Sequence, residues 1–173
     1  MVTPEQRQEV AALVLSTLRS LGGEDLIPLL TIQWRPFAVR MGDALYDATK
    51  GAIVCNIRFS SALWERADDA ARLDTVVHEV CHILVMYEAH VAGRKDPPAH
   101  GRAWQEMMRR AGATPQRCHH VDPTGLPGRK RRVTVFCACP KNEVSSILAN
   151  RIARGINYVC VKCNQRLSLS PPK

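Results

Sequence analysis

Residues 78–82 read His-Glu-Val-Cys-His, two imidazoles four positions apart with a carboxylate directly after the first. On a helix that turns about 100° per residue, His78 and His82 lie about 40° apart and can reach one metal ion. Glu79 projects about 100° from His78, near enough to act on a water at that metal without joining its ligand shell. The pattern is HExxH, the zinc-hydrolase signature, in which a metal held by three protein ligands keeps its fourth position open. The third ligand must come from elsewhere. A metzincin continuation needs Gly at 85 and His at 88, where this chain has Val85 and Glu88. Glu88 lies about 9 Å along the helix from His82 and His90 about 12 Å, too far for one ion to bridge easily. His100 follows a Gly/Pro loop at the start of another helix. It can fold back over the metal face and is the favoured third ligand.

A second constellation lies downstream. Cys137-Ala138-Cys139 and Cys160-Val161-Lys162-Cys163 enclose twenty residues, which fits a closed four-thiolate zinc site that supports folding rather than chemistry. Cys118, His119 and His120 are weaker substitutes for one of these ligands. The chain carries a net charge of +8, and from Arg117 onward it has eleven Lys/Arg against two Asp/Glu. That segment alone is +9, so the remainder is −1. A neutral body with a basic end points to a polyanion, and DNA bound without regard to sequence is the expected partner. Arg129, Lys130, Arg131, Arg132, Arg151 and Arg154 are the expected phosphate contacts, with Lys141, Lys162 and Arg166 nearby. A merely solvated basic surface is the alternative. Phe136 and Tyr158 precede the two cysteine pairs and fit packing between strands better than stacking on bases.

These residues need elements to place them. Thr3 opens a helix with a capping box to Gln6, Pro4 in its first turn and a stripe of Val10, Leu13, Val14, Thr17, Leu18 and Leu21, ended by Gly22-Gly23. Between 30 and 59 the period changes to alternation. Strands are expected at 30–34, 37–41 and 52–59, with turns at Gly42-Asp43 and Lys50-Gly51, forming a small antiparallel sheet. The metal helix follows, its Leu73, Val76, Val80, Ile83, Leu84 and Tyr87 gathered opposite the histidines as a core face. Gly93 and Arg94–Pro98 end it, and a further helix carries Trp104, Met107 and Met108. PTGLPGRKRR, residues 123–132, has linker composition. Strand-like pieces at 133–136 and 157–161 then run into the cysteine pairs. The expected organisation is an α+β domain over 1–122, a basic linker over 123–132 and a small zinc ribbon over 133–173, which has too little core to fold without metal.

An apolar fraction of 46% supports a genuine core, and no apolar run approaches membrane-spanning length. No secretory signal precedes the seven cysteines, so they are expected reduced, in the cytoplasm or at the nucleoid of a bacterium. Cys55 and Cys81 read as small buried side chains.

Taken together, HEVCH, the later His100-Gly101-Arg102-Ala103-Trp104, the CxC and the CxxC resemble the SprT-like zinc metalloproteases, relatives of the Spartan proteases of DNA–protein crosslink repair. The resemblance spans nearly the whole chain. It implies catalytic zinc on His78, His82 and His100, Glu79 as general base, and a zincin-like fold followed by a zinc ribbon. It also implies protein substrates trapped or crosslinked on DNA. Arg117-Cys118-His119 stands where such proteins often have Arg-Thr-His. Two departures are the longer span from His82 to His100 and Cys81, where a small apolar residue is usual. Arg117, His119 and Tyr87 are all candidates to stabilise an oxyanion. A nucleic-acid-binding zinc-ribbon protein with a non-catalytic scaffold is the rival from another class, and a protease recruiting acidic proteins a third.

Overall fold

The capping box forms as the residue types require: Gln6 N donates to Thr3 Oγ1 at 3.2 Å and Thr3 N to Gln6 Oε1 at 2.9 Å. It opens α1 (Pro4–Ser20), whose Val10, Val14, Thr17 and Leu18 are buried. In the computed structural model, which describes residues 2–48, 52–117, 121–126, 132–140 and 142–171, the chain forms two compact units, Met1–Pro127 and Gly128–Lys173. Both mix helices with strands, an α+β architecture.

The first unit is built on a three-stranded sheet of β1 (Leu30–Arg35), β2 (Gly42–Asp47) and β3 (Val54–Ser60), in the order β1-β3-β2. β2 pairs antiparallel with β3, but β1 pairs parallel, Leu30 opposite Cys55 and Trp34 opposite Phe59. The expected antiparallel sheet is therefore mixed, because β3 inserts between the first two strands. The expected strand at 37–41 is instead the connection that this insertion needs. Ser60 at the end of β3 holds it, donating from N to Met41 O at 2.7 Å and from Oγ to Phe37 O at 2.6 Å. Gly42-Asp43, expected as a turn, begins β2. The Lys50-Gly51 turn lies outside the described residues.

Ser60 also caps the short α2 (Ser61–Trp64), accepting from Leu63 N at 3.0 Å. Asp68 caps α3 (Asp69–Val91) through Ala71 N at 2.8 Å. Val76, Val80, Ile83 and Leu84 of α3 are buried against α1 and the sheet with Leu18, Ile57 and Phe59. Leu73 departs from the expected core face: it is 48% exposed, beside a shallow groove lined by Gln6, Leu13 and Trp64. It sits in the first turns of the helix, before α3 meets the core. Gly93, at φ +60°, turns the chain out of α3 in the left-handed conformation that glycine tolerates. Its N–H bonds His90 O at 2.9 Å and Arg94 N bonds Ala89 O at 2.8 Å. A loop then leads to α4 (Arg102–Arg110), which packs Trp104, Met107 and Met108 inward.

The second unit pairs β4 (Arg132–Val135) antiparallel with β5 (Asn142–Ser145) and adds α5 (Ser146–Ala153), capped by Ser145. Neither β5 nor α5 stands out in the sequence pattern, both being short. The expected strand at 157–161 reduces to one isolated bridge, Val159 to Arg166. Its residues turn instead: Cys160 N donates to Gln165 O at 2.8 Å and Asn164 N to Cys160 O at 2.8 Å. That tight knuckle brings Cys160 and Cys163 to one side. Val135, Cys160 and Leu167 are the buried hydrophobic residues of this unit's core. No helix among the described residues is long and apolar enough to cross a membrane.

Candidate metal sites and the cleft around them

Helical spacing puts His78 and His82 on one face of α3, and the loop after Gly93 carries His100 back to them. Their Nε2 atoms form a triangle: 3.1 Å from His82 to His78, 3.2 Å from His82 to His100 and 3.3 Å from His100 to His78. Zinc–nitrogen bonds of 2.0–2.1 Å in a tetrahedron give nitrogen separations of about 3.4 Å, so the donor set fits such an ion closely. Burial, and then the charges of His78 and His100, push His82 down to about 3, which disfavours the charged form of its ring. Burial, then Arg117, also lowers His100.

Trp104 fixes the triangle from below. It is 1% exposed, and its ring centroid lies 4.7 Å from His78, 5.4 Å from His82 and 4.7 Å from His100. Its Nε1 donates to the His78 carbonyl at 3.4 Å. The sequence marks Trp104 only as an apolar helix residue; its role as a platform for all three rings depends on how α3 and α4 pack.

Glu79 is buried, and its carboxyl pKa is pushed up to about 8, chiefly by burial and then by the charge of Asp43, with Arg40 opposing. It lies hard against β2, where a Cβ on Gly42 would stand 2.8 Å from both Cγ and Oε1 of Glu79. A glycine is what lets strand and carboxylate share this space. Asp43, next along, is clamped by Arg58 Nε and Arg40 Nη2, each at 2.5 Å.

Glu79 and the triad line one cleft of about 490 Å³, together with Arg40, Asp43, Tyr46, Met86, Pro97 and Arg117. The other candidates for third ligand lie elsewhere. Glu88 pairs with Arg110 at 3.5 Å, and the His90 ring sits 6.0 Å from that of Tyr46. Tyr87 donates to Asp25 Oδ2 at 3.3 Å, while Arg117 lines the cleft. Cys55 and Cys81 are core residues, with burial raising their thiols to about 11 and about 12. Cys118, His119 and His120 lie outside the described residues.

In the second unit the sulfurs of Cys137, Cys139, Cys160 and Cys163 all lie within 4.8 Å of one another, Cys139 and Cys160 at 4.0 Å. A tetrahedron of 2.3 Å zinc–sulfur bonds has edges of roughly 3.8 Å. Cys160 is pushed down to about 6 by the backbone N–H groups of Cys163 and Lys162, with Asn142 Nδ2 at 3.3 Å from its sulfur. These donors favour the thiolate that a metal needs. Of the expected phosphate contacts, Arg132, Arg151 and Arg154 are exposed, and Arg129, Lys130 and Arg131, like Lys141, lie outside the described residues.

Known proteins resemble this chain over its first unit. The profile of the SprT-like family matches residues 15–124. Protein SprT of Shewanella oneidensis is 28% identical over 116 residues, 66% of this chain and 70% of its own length. Protein SprT of Pseudomonas fluorescens is 31% identical over 121 residues, 66% of this chain and 68% of its own. The chain belongs to the SprT-like family.

Proposed function

We propose that this member of the SprT-like family is a zinc-dependent endoprotease of zincin-like fold that works beside DNA, on proteins trapped or crosslinked there. The observation that carries the reading is the convergence of three imidazole nitrogens on one point in a cleft that also holds a buried glutamate. His78, His82 and His100 would hold a zinc ion, and that ion would supply Lewis acidity towards a carbonyl and towards water. Glu79 acts as general base and then general acid, taking the proton of the attacking water and handing it to the leaving amine. Arg117, on the cleft wall, is the cation for the developing oxyanion, since Tyr87 is engaged with Asp25. β2 is the edge strand bordering the cleft, and an extended substrate adds to it through backbone hydrogen bonds, which carry no sequence preference of their own.

The four cysteines hold a second, structural zinc. The basic second part recruits DNA through phosphates, which supports action in the cytoplasm or at a nucleoid. The deciding variant is Glu79→Gln. It should abolish cleavage of a flexible protein substrate while keeping both zincs and DNA affinity. Cleavage that survives in Glu79→Gln overturns the assignment. A wild-type protein that binds DNA but cleaves nothing would leave the non-catalytic scaffold as the better reading.

A further inference from the structure

We infer that the cleft selects one side chain beside the bond it cuts: an apolar pocket formed by Ile83, Met86, Tyr46 and Pro97 takes a residue of Leu, Met or Phe size. The inference rests on the proteolytic reading and names the substrate class for that same site.

The triad divides the cleft into two unlike ends. Towards the start of α3 the lining is polar, with Asp74 and Thr75 on the helix and Arg40 and Asp43 from the β2 side. Towards its end the helix presents Ile83 and Met86. Met86 stands four residues beyond His82 on the same helical face, about 6 Å further along the axis. A side chain next to a carbonyl held at the triad reaches that far.

Across from Met86, β2 supplies Tyr46. Its hydroxyl is buried without a hydrogen-bond partner and feels the charge of Asp96, so Tyr46 brings one unsatisfied polar atom to an otherwise apolar wall. The ring is braced by Tyr87 at 6.4 Å and His90 at 6.0 Å between centroids. The loop that delivers His100 also lines the cleft with Pro97 and Ala99. One segment therefore both supplies His100 to the triad and lines the pocket. A polar substrate residue entering there loses its water and finds only the Tyr46 hydroxyl to bond, whereas an apolar one gains by leaving water against Ile83, Met86 and Pro97.

The test uses the full-length protein loaded with zinc. Cleavage sites in an unfolded protein are mapped by mass spectrometry, and pairs of fluorogenic peptides then differ only at the enriched position. About tenfold higher kcat/KM is expected for Leu than for Ala or Asp, the discrimination an apolar pocket gives. Met86→Ala should move the optimum towards Phe and Trp. Met86→Phe, or Pro97→Trp on the loop, should move it towards Ala and Ser. Each result is a ratio within one preparation, so partial loss of folded protein does not blur it. A flat wild-type profile overturns the inference and leaves proteolysis standing, as does a preference that Met86→Phe and Pro97→Trp both leave unchanged. If the zinc-loaded wild type cleaves no peptide at all, the proteolytic reading fails and takes the pocket with it.

Discussion

Trp104 and Gly42 act on the site without touching a substrate. Trp104 supports all three metal-facing rings, so Trp104→Ala removes a fully buried ring and the plane on which the ligands rest. It should cost about 3–5 kcal/mol of stability, and zinc affinity should fall with it. Denaturant unfolding and competitive chelation measure the two effects separately. Gly42→Ala puts a methyl 2.8 Å from the Glu79 carboxyl. The carboxyl must move, and a displacement of about 1 Å at a reacting group costs on the order of 10² in rate. Zinc content should stay at the wild-type level, since the methyl meets the glutamate and not a ligand. His78, Glu79 and His82 are legible in the sequence because helical spacing alone fixes their mutual geometry. Gly42 is not, because its close neighbour lies 37 positions away in the sequence, and the pattern there reads as a turn.

Among the elements, α3 carries two of the three clustered histidines and the glutamate, the loop after Gly93 returns the third, and β2 walls the cleft. The strand periods of β1 and β3 are visible in the sequence, as are the capping box of α1 and both inward faces of α3 and α4. The order of the strands is not. Alternation says which residues share a face, and it does not say that β3 slips between β1 and β2. That outcome depends on Ser60, which is 0% exposed and holds the 36–41 connection through Met41 and Phe37 while capping α2. Ser60→Ala leaves the Phe37 carbonyl unpaired and removes a cap, a loss of about 1–2 kcal/mol by the cap alone. Because the connection feeds directly into Gly42, kcat should drop more steeply than stability predicts. Thermal melts beside single-turnover rates will show whether it does.

The whole molecule joins in one chain a well-packed first unit and a second one whose described core is small. Chelation should therefore unfold Gly128–Lys173 selectively while Met1–Pro127 keeps its helices, a pattern that amide hydrogen exchange can map unit by unit. Charge and two cysteine pairs are what the sequence displays of the second part. Replacing Arg132, Arg151 or Arg154 with Ala should weaken DNA binding evenly across sequences. The salt slope should fall by about one for each phosphate left without its arginine. If three imidazoles hold one zinc and four cysteines another, the metal content divides between two independent ligand sets. Inductively coupled plasma mass spectrometry should find about two zincs per wild-type chain and about one in His100→Ala, from the two ligand sets. A wild-type protein holding a single zinc, with the same content after His100→Ala, would contradict the account.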